Sequence, residues 1–197
     1  MAAVIKKVGV IGAGQMGSGI AHVAALAGFD VVLNDISGDR LKSGMATING
    51  NLARQVSKKA VSEDDKAKAL GRIKLAEKLD DLADCDLVIE TAVEKEEVKR
   101  KIFHELCAVL KPEAIVASDT SSISITRLAA ATDRPERFIG IHFMNPVPLM
   151  ELVELIRGIA TDDSTFEASK EFVAKLGKRS RSPRISRPSS SIESCCR

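Results

Sequence analysis

Val8-Gly9-Val10-Ile11-Gly12-Ala13-Gly14-Gln15-Met16-Gly17 is an apolar, β-branched run that breaks into glycines and then opens a helix. Residues 4–11 are nearly continuously apolar, as in a strand buried on both faces of a parallel sheet. Gly12, Gly14 and Gly17 have the Gly-x-Gly-x-x-Gly spacing. The first makes a tight turn, the second lets the backbone approach a pyrophosphate, and the third lets the helix pack close on the strand. Ile20, Val23, Ala24 and Ala27 then recur at helical spacing, and Gly28 closes the helix. Residues 29–33 read as a second buried strand, with Asp35 at its end, about 20 residues beyond the glycines. The helix N-terminus offers unpaired N–H groups and a positive dipole to phosphates. A carboxylate at position 35 accepts hydrogen bonds from a ribose 2′-hydroxyl and repels a 2′-phosphate, so NAD is expected rather than NADP. Gly12, Gly14, Gln15, Met16, Gly17 and Asp35 are its expected contacts.

Outward from this unit, residues 37–57 form an amphipathic helical stretch ending at Lys58 and Lys59. Ser62 caps a second helix whose first turn holds Glu63, Asp64 and Asp65, and the two helices read as an insertion with a basic end. Alternation then returns: strand 87–90, helix 94–110, strand 115–118, short helix 124–131, strand 138–143, a turn at Asn145-Pro146-Val147-Pro148, strand 152–156 and helix 162–176. Such alternation predicts an α/β fold, a Rossmann-type, doubly wound, mostly parallel sheet with a helical insertion after the second strand.

A composition of 45% hydrophobic and 28% charged residues is that of a globular chain. No apolar run approaches the roughly 18 residues that would span a bilayer, and too little precedes the first strand for a signal peptide. A cytoplasmic location with no membrane partner is expected. Cys85, Cys107, Cys195 and Cys196 lack the spacing of a disulfide framework or a metal site, so reduced thiols and no metal are expected. After Gly177 the chain turns to Arg, Ser and Pro in near alternation. Residues 1–177 are therefore expected to form the folded domain and 178–197 a disordered basic tail. Of the net charge of +2, the tail carries +5, six basic residues against Glu193, and the body −3.

Read together, four segments carry a resemblance: residues 8–14, Asp86-Leu87-Val88-Ile89-Glu90, Thr120-Ser121-Ser122-Ile123, and the long run from Arg137 through His142-Phe143-Met144-Asn145 to Pro148. Over residues 5–177 the chain resembles the 3-hydroxyacyl-CoA dehydrogenase family, bacterial 3-hydroxybutyryl-CoA dehydrogenases in particular. The resemblance implies an enzyme that oxidises the 3-hydroxyl of an acyl-CoA with NAD, His142 taking the proton and Glu154 supporting it. A base for an alcohol must titrate near neutrality, as imidazole does. The residues give an independent reason for the pair, because in a hairpin centred on Pro148 residues whose numbers sum to 296 face each other. Ser121 matches the family serine that hydrogen-bonds the substrate oxygen, although a helix cap is its bland alternative. Glu94 and Lys99 match positions around the nicotinamide, while by spacing alone they read as an i,i+5 pair on a solvated helix face. Lys58, Lys59 and Asn145 are candidate CoA-substrate contacts. His22 and His104 read as structural, Arg40 as solvated.

Asp119 stands where the family commonly has Asn, and an added negative charge beside the cofactor is expected to weaken binding. The family continues with a strand and a helical domain that closes the site and forms the homodimer, and nothing after Lys178 matches it. Codons can be chosen for the tail such that a one-base shift after Lys178 yields a family-like strand, Phe-Pro-x-Phe and Asn-Arg, with the family's active-site Asn at Ile192. A frameshifted, truncated product of impaired activity is thus the expectation. The alternatives are a non-catalytic NAD-binding module, a dehydrogenase of a free hydroxy acid, and a basic-tailed nucleic-acid binder. The His-Phe-Met-Asn-Pro segment favours the CoA ester, and the tail's likeness to Arg/Ser-rich segments is taken as coincidental, so no specific nucleic acid is expected.

Overall fold

A computed structural model describes residues 4–182. Its strands are β1 (Lys7–Ile11), β2 (Asp30–Asn34), β3 (Ile73–Ala76), β4 (Leu87–Glu90), β5 (Ile115–Ser118), β6 (Phe138–Phe143), β7 (Leu152–Arg157) and β8 (Arg179–Arg181). They form one sheet in the order β3-β2-β1-β4-β5-β6-β7-β8. All neighbours pair in parallel except β6 and β7. The order reverses between β1 and β4, and such a switch point opens a crevice at the carboxyl ends of the strands.

Helices α1 (Gln15–Leu26), α2 (Gly38–Ser57), α3 (Glu63–Gly71), α4 (Glu96–Cys107), α5 (Ile125–Ala129) and α6 (Asp163–Lys175) cover both faces. Val8, Val10, Leu87 and Ile89 pack with Ile20, Leu33, Ile48 and Phe172 on one side, while Ile11, Val88 and Val116 pack with Phe103, Leu128 and Phe138 on the other. Alternate residues of a strand thus enter different cores, which is why the strands lack a polar face. Helix starts follow from local chemistry: Ser37, Ser62, Ser124 and Asp162 each accept a backbone N–H three residues on.

Two strands depart from the expected layout. The pair of helices after β2 is followed by β3, an edge strand whose middle residues, Lys74 and Leu75, are exposed. The fold also does not stop at Gly177, because β8 adds a parallel edge to β7 with three exposed side chains. β8 is held by backbone hydrogen bonds that leave no apolar pattern, whereas β3 packs Ile73 and Ala76 on the core but is too short to show a period. Residues 183–197, with most of the expected disordered tail and the frameshift reading, lie outside the described residues. Among the described residues no helix is long and apolar enough to cross a membrane.

Phe172 of α6 meets Phe29 edge to face, centroids 5.1 Å apart, and closes the core beneath β1 and β2. Phe172→Ala should lower stability by about 3–5 kcal/mol, read as a shift of the denaturation midpoint at unchanged slope.

Candidate active site

The glycine turn is shaped by contacts that side chains would break. Gly12 has φ +99°, and a Cβ on Gly17 would stand 1.7 Å from the Gly12 carbonyl oxygen. A Cβ on Gly14 meets nothing within 4 Å, so that position faces open space. Gly14 caps α1 without any side-chain hydrogen bond, leaving first-turn amides for an anion. Asp35 is buried beside it, its Oδ2 accepting from Ala13 N at 2.9 Å and its Oδ1 from Ser37 N at 3.0 Å. Gly12, Gly14, Asp35, Val98 and Ile102 line a cavity of about 510 Å³. Arg40, read as solvated, is exposed but lines the same cavity. An open glycine, free helix-end amides, an anchored carboxylate and an apolar wall are what an adenine dinucleotide requires. The other motif residues divide: Met16 packs against the core, while Gln15 donates from Nε2 to Asn145 Oδ1 at 3.1 Å.

The hairpin places the expected pair together. His142 of β6 and Glu154 of β7 are register partners, and His142 Nδ1 lies 3.1 Å from Glu154 Oε2, both half-buried. An Nδ1–H donated to the carboxylate leaves the Nε2 lone pair free to accept a proton.

Glu94 and Lys99 are not the solvated helical pair that their spacing suggests. Helix α4 starts at Glu96, after Glu94, and Lys99 is buried to 1% exposure. Its ammonium lies 2.8 and 3.0 Å from the oxygens of Glu90, at the end of β4, and 3.4 Å from Glu94. A fully buried carboxylate such as Glu90 demands a cation, and Lys99 is turned inward to supply it. Ser118 Oγ also donates to Glu90, at 2.8 Å. The sequence reading missed Glu90 and Ser118 as site residues; a Glu closing the apolar run Leu87-Val88-Ile89 was the available signal.

Glu94 instead grips the loop after β5, accepting from Thr120 Oγ1, from the amides of Ser121 (3.1 Å) and Ser122 (3.3 Å), and from Ser122 Oγ (3.0 Å). Burial pushes its carboxyl up, but the Thr120 and Ser122 hydroxyls and Lys99 outweigh that and hold it below the usual range. Ser121 is exposed on this loop, and the capping role falls to Ser124, which accepts from Arg127 N. Asp119 Oδ1 accepts the amide of Phe143, the neighbour of His142, at 2.7 Å, and burial pushes its carboxyl up to about 7. Lys58 and Lys59 are exposed at the far end of the 20-residue α2, about 30 Å from Gly38, and are not brought to the cavity. His22 is buried against Gln55, with burial lowering its pKa.

Residues 7–180 match the family model described as "3-hydroxyacyl-CoA dehydrogenase, NAD binding domain". A 3-hydroxybutyryl-CoA dehydrogenase of Bradyrhizobium diazoefficiens is 93% identical over 179 residues, 91% of this chain and 61% of that protein. One from Mycobacterium tuberculosis is 46% identical over 181 residues, 91% of this chain and 63% of that protein. The crystal structure of (S)-3-hydroxybutyryl-CoA dehydrogenase from Ralstonia eutropha superimposes with a TM-score of 0.89 at 48% identity, covering 90% of this chain and 63% of that one. The chain belongs to the 3-hydroxyacyl-CoA dehydrogenase family, as its NAD-binding domain. It spans about 61–63% of the length of these relatives.

Two expectations follow from the geometry. Gly14→Ala should keep stability within about 0.5 kcal/mol yet weaken NADH binding at least about tenfold, whereas Gly17→Ala should lose the fold's cooperative unfolding transition; calorimetry and thermal melts separate them. The stability that protonated Asp119 allows is complete below the ordinary carboxylate value of 3.8 and is lost as pH rises through about 7. Asp119→Asn retains the acceptor for Phe143, so it should stabilise the domain at pH 8 and give a gain that vanishes toward pH 4 in denaturation midpoints.

Proposed function

We propose that this chain supplies the NAD site and the proton-accepting pair of an NAD-dependent dehydrogenase acting on the 3-hydroxyl of an (S)-3-hydroxyacyl-CoA, of the 3-hydroxybutyryl-CoA kind. The observation that carries the reading is the His142–Glu154 pair, 3.1 Å apart, on a hairpin whose turn touches the dinucleotide-binding helix. The exposed hydroxyl of Ser121 orients the substrate oxygen, and His142 Nε2 takes the hydroxyl proton. Glu154 fixes the imidazole orientation through Nδ1 and stabilises the imidazolium once formed. Lys99 neutralises Glu90 and leaves Glu94 to hold the Ser121 loop, which keeps the oxygen-binding group in place. Bound NAD supplies the hydride acceptor. Lys58 and Lys59 contact CoA phosphates in this reading, and Asn145 contacts the acyl-CoA. The buried thiols Cys85 and Cys107 suit a cytoplasmic setting, and the 3-hydroxybutyryl-CoA dehydrogenase relatives favour butanoate-type acyl-CoA metabolism. The chain spans 61% of the length of its Bradyrhizobium relative, and the family's homodimer is part of this reading for the whole protein.

The test is oxidation of (S)-3-hydroxybutyryl-CoA followed by NADH formation, beside calorimetry with NADH. His142→Ala and Glu154→Gln should lower the rate by about a hundredfold to ten-thousandfold, with NADH affinity unchanged. NADH binding without turnover by the native chain would favour the non-catalytic module, and turnover of free 3-hydroxybutyrate at an equal rate would remove the CoA ester from the reading.

A further inference from the structure

The turn joining β6 to β7 is held from outside the hairpin by three side-chain contacts. Gln15, the first residue of α1, donates from Nε2 to Asn145 Oδ1 at 3.1 Å. One turn along the same helix, Gly19 leaves a notch that Val147 fills, since a Cβ there would stand 2.8 Å from Val147 Cβ and 3.1 Å from its Cγ2. From the last residues of the domain, Lys178 donates from Nζ to the carbonyls of Val147 at 2.7 Å and Met150 at 2.6 Å. The turn closes on itself through the amides of Leu149 and Met150, which both donate to the Pro146 carbonyl, at 2.9 and 3.0 Å.

The contacts converge in function as well as in space. The helix whose free N-terminal amides face the dinucleotide cavity is the helix on which the turn is seated. Close packing passes a shift of one element to its neighbour rather than absorbing it. Lys178 is half-buried, and burial pushes its ammonium below the usual lysine range; that is the signature of a cation withdrawn from water to hold carbonyls. None of the three contacts lies within β6 or β7, so the hairpin's register does not need them and their effect is on where the hairpin sits.

We propose that the Asn145–Met150 turn is a clamp through which a nucleotide at the Gly14–Gln15 helix end sets the position of His142 and Glu154, with Gln15, Gly19 and Lys178 as its positioning residues. The proposal rests on the dehydrogenase reading above for what the hairpin does. It does not rest on it for the coupling, which can be measured without turnover.

Hydrogen exchange at the amides of Leu149 and Met150 reads the clamp directly, in the full chain with and without saturating NADH. The native chain should exchange there about tenfold more slowly with NADH bound. Lys178→Met should lose that slowing while its NADH Kd changes less than about threefold, and Lys178→Arg, which keeps a donor cation, should restore it. Gly19→Ala, which unseats Val147 by a different route, should also lose it. If Gly19→Ala fails to fold, the lysine variants and the native comparison still decide the matter. NADH binding with no slowing in the native chain, or full slowing in Lys178→Met, would overturn the clamp and leave the dinucleotide site intact. Failure of the native chain to bind NADH would overturn both.

Discussion

A helix and a strand end can share the same space only where neither carries a side chain, and here the separation is extreme, with a Gly17 Cβ falling 1.7 Å from the Gly12 carbonyl oxygen. That contact seats α1 directly over the end of β1. Thr91, just past β4, then ties the turn to the next strand by donating from Oγ1 to the carbonyl of Ile11 at 2.9 Å. The crevice between β1 and β4 is therefore floored by three pieces of backbone held in contact, with the free amides of α1 aimed across it. Asp35, the cavity wall and the hairpin turn all take their positions from where that helix lies.

Negative charge around the crevice is controlled by anchoring. Asp35 is spent on two backbone amides, Glu90 on Lys99 and Ser118, and Glu94 on the loop after β5. Each of these carboxylates has donors that hold its geometry, as the burial of Asp35 and Glu90 requires. In the proposed reading this leaves the exposed Ser121 hydroxyl and the half-buried His142 ring to meet the substrate. Asp119 is the exception, with one oxygen on the Phe143 amide and a carboxyl pushed toward neutrality by burial.

What was legible in the sequence was what side chains encode. Continuous apolar runs marked strands covered on both faces, and the glycine spacing with Asp35 marked the cavity. The hairpin register was legible because antiparallel pairing keeps the sum of partner numbers constant, so a turn centred on Pro148 was enough to put His142 across from Glu154. The edge strands β3 and β8 were illegible for the converse reason: β8 has three exposed side chains, and β3 is four residues long with Ala76 alone fully buried. Lys99 was misread because spacing cannot say which lysine turns inward; that depends on Glu90, nine residues earlier and buried only once β4 is in the sheet. The motif letters were likewise unequal, since Met16 serves the core and Gln15 reaches a residue 130 positions away.

Among the described residues, the one antiparallel pairing in the sheet sets His142 against Glu154, the proposed base and its carboxylate, and that placement has a physical consequence. Two groups on neighbouring parallel strands are separated by a crossover helix, and their distance inherits every shift in that helix's packing. On a hairpin the same two groups are 12 residues apart and joined by a short turn, so the 3.1 Å contact does not depend on the packing of a crossover helix. The strands of the hairpin are tied to the rest of the sheet through β5 and through the Phe143 amide on Asp119, but its turn projects beyond those pairings. Contacts from α1 and from Lys178 to the turn add a second link to the cofactor crevice without touching the pair itself. Local pairing thus fixes the geometry of the His142–Glu154 pair, and in the proposed clamp the turn's outside contacts fix where that geometry stands against the cofactor crevice.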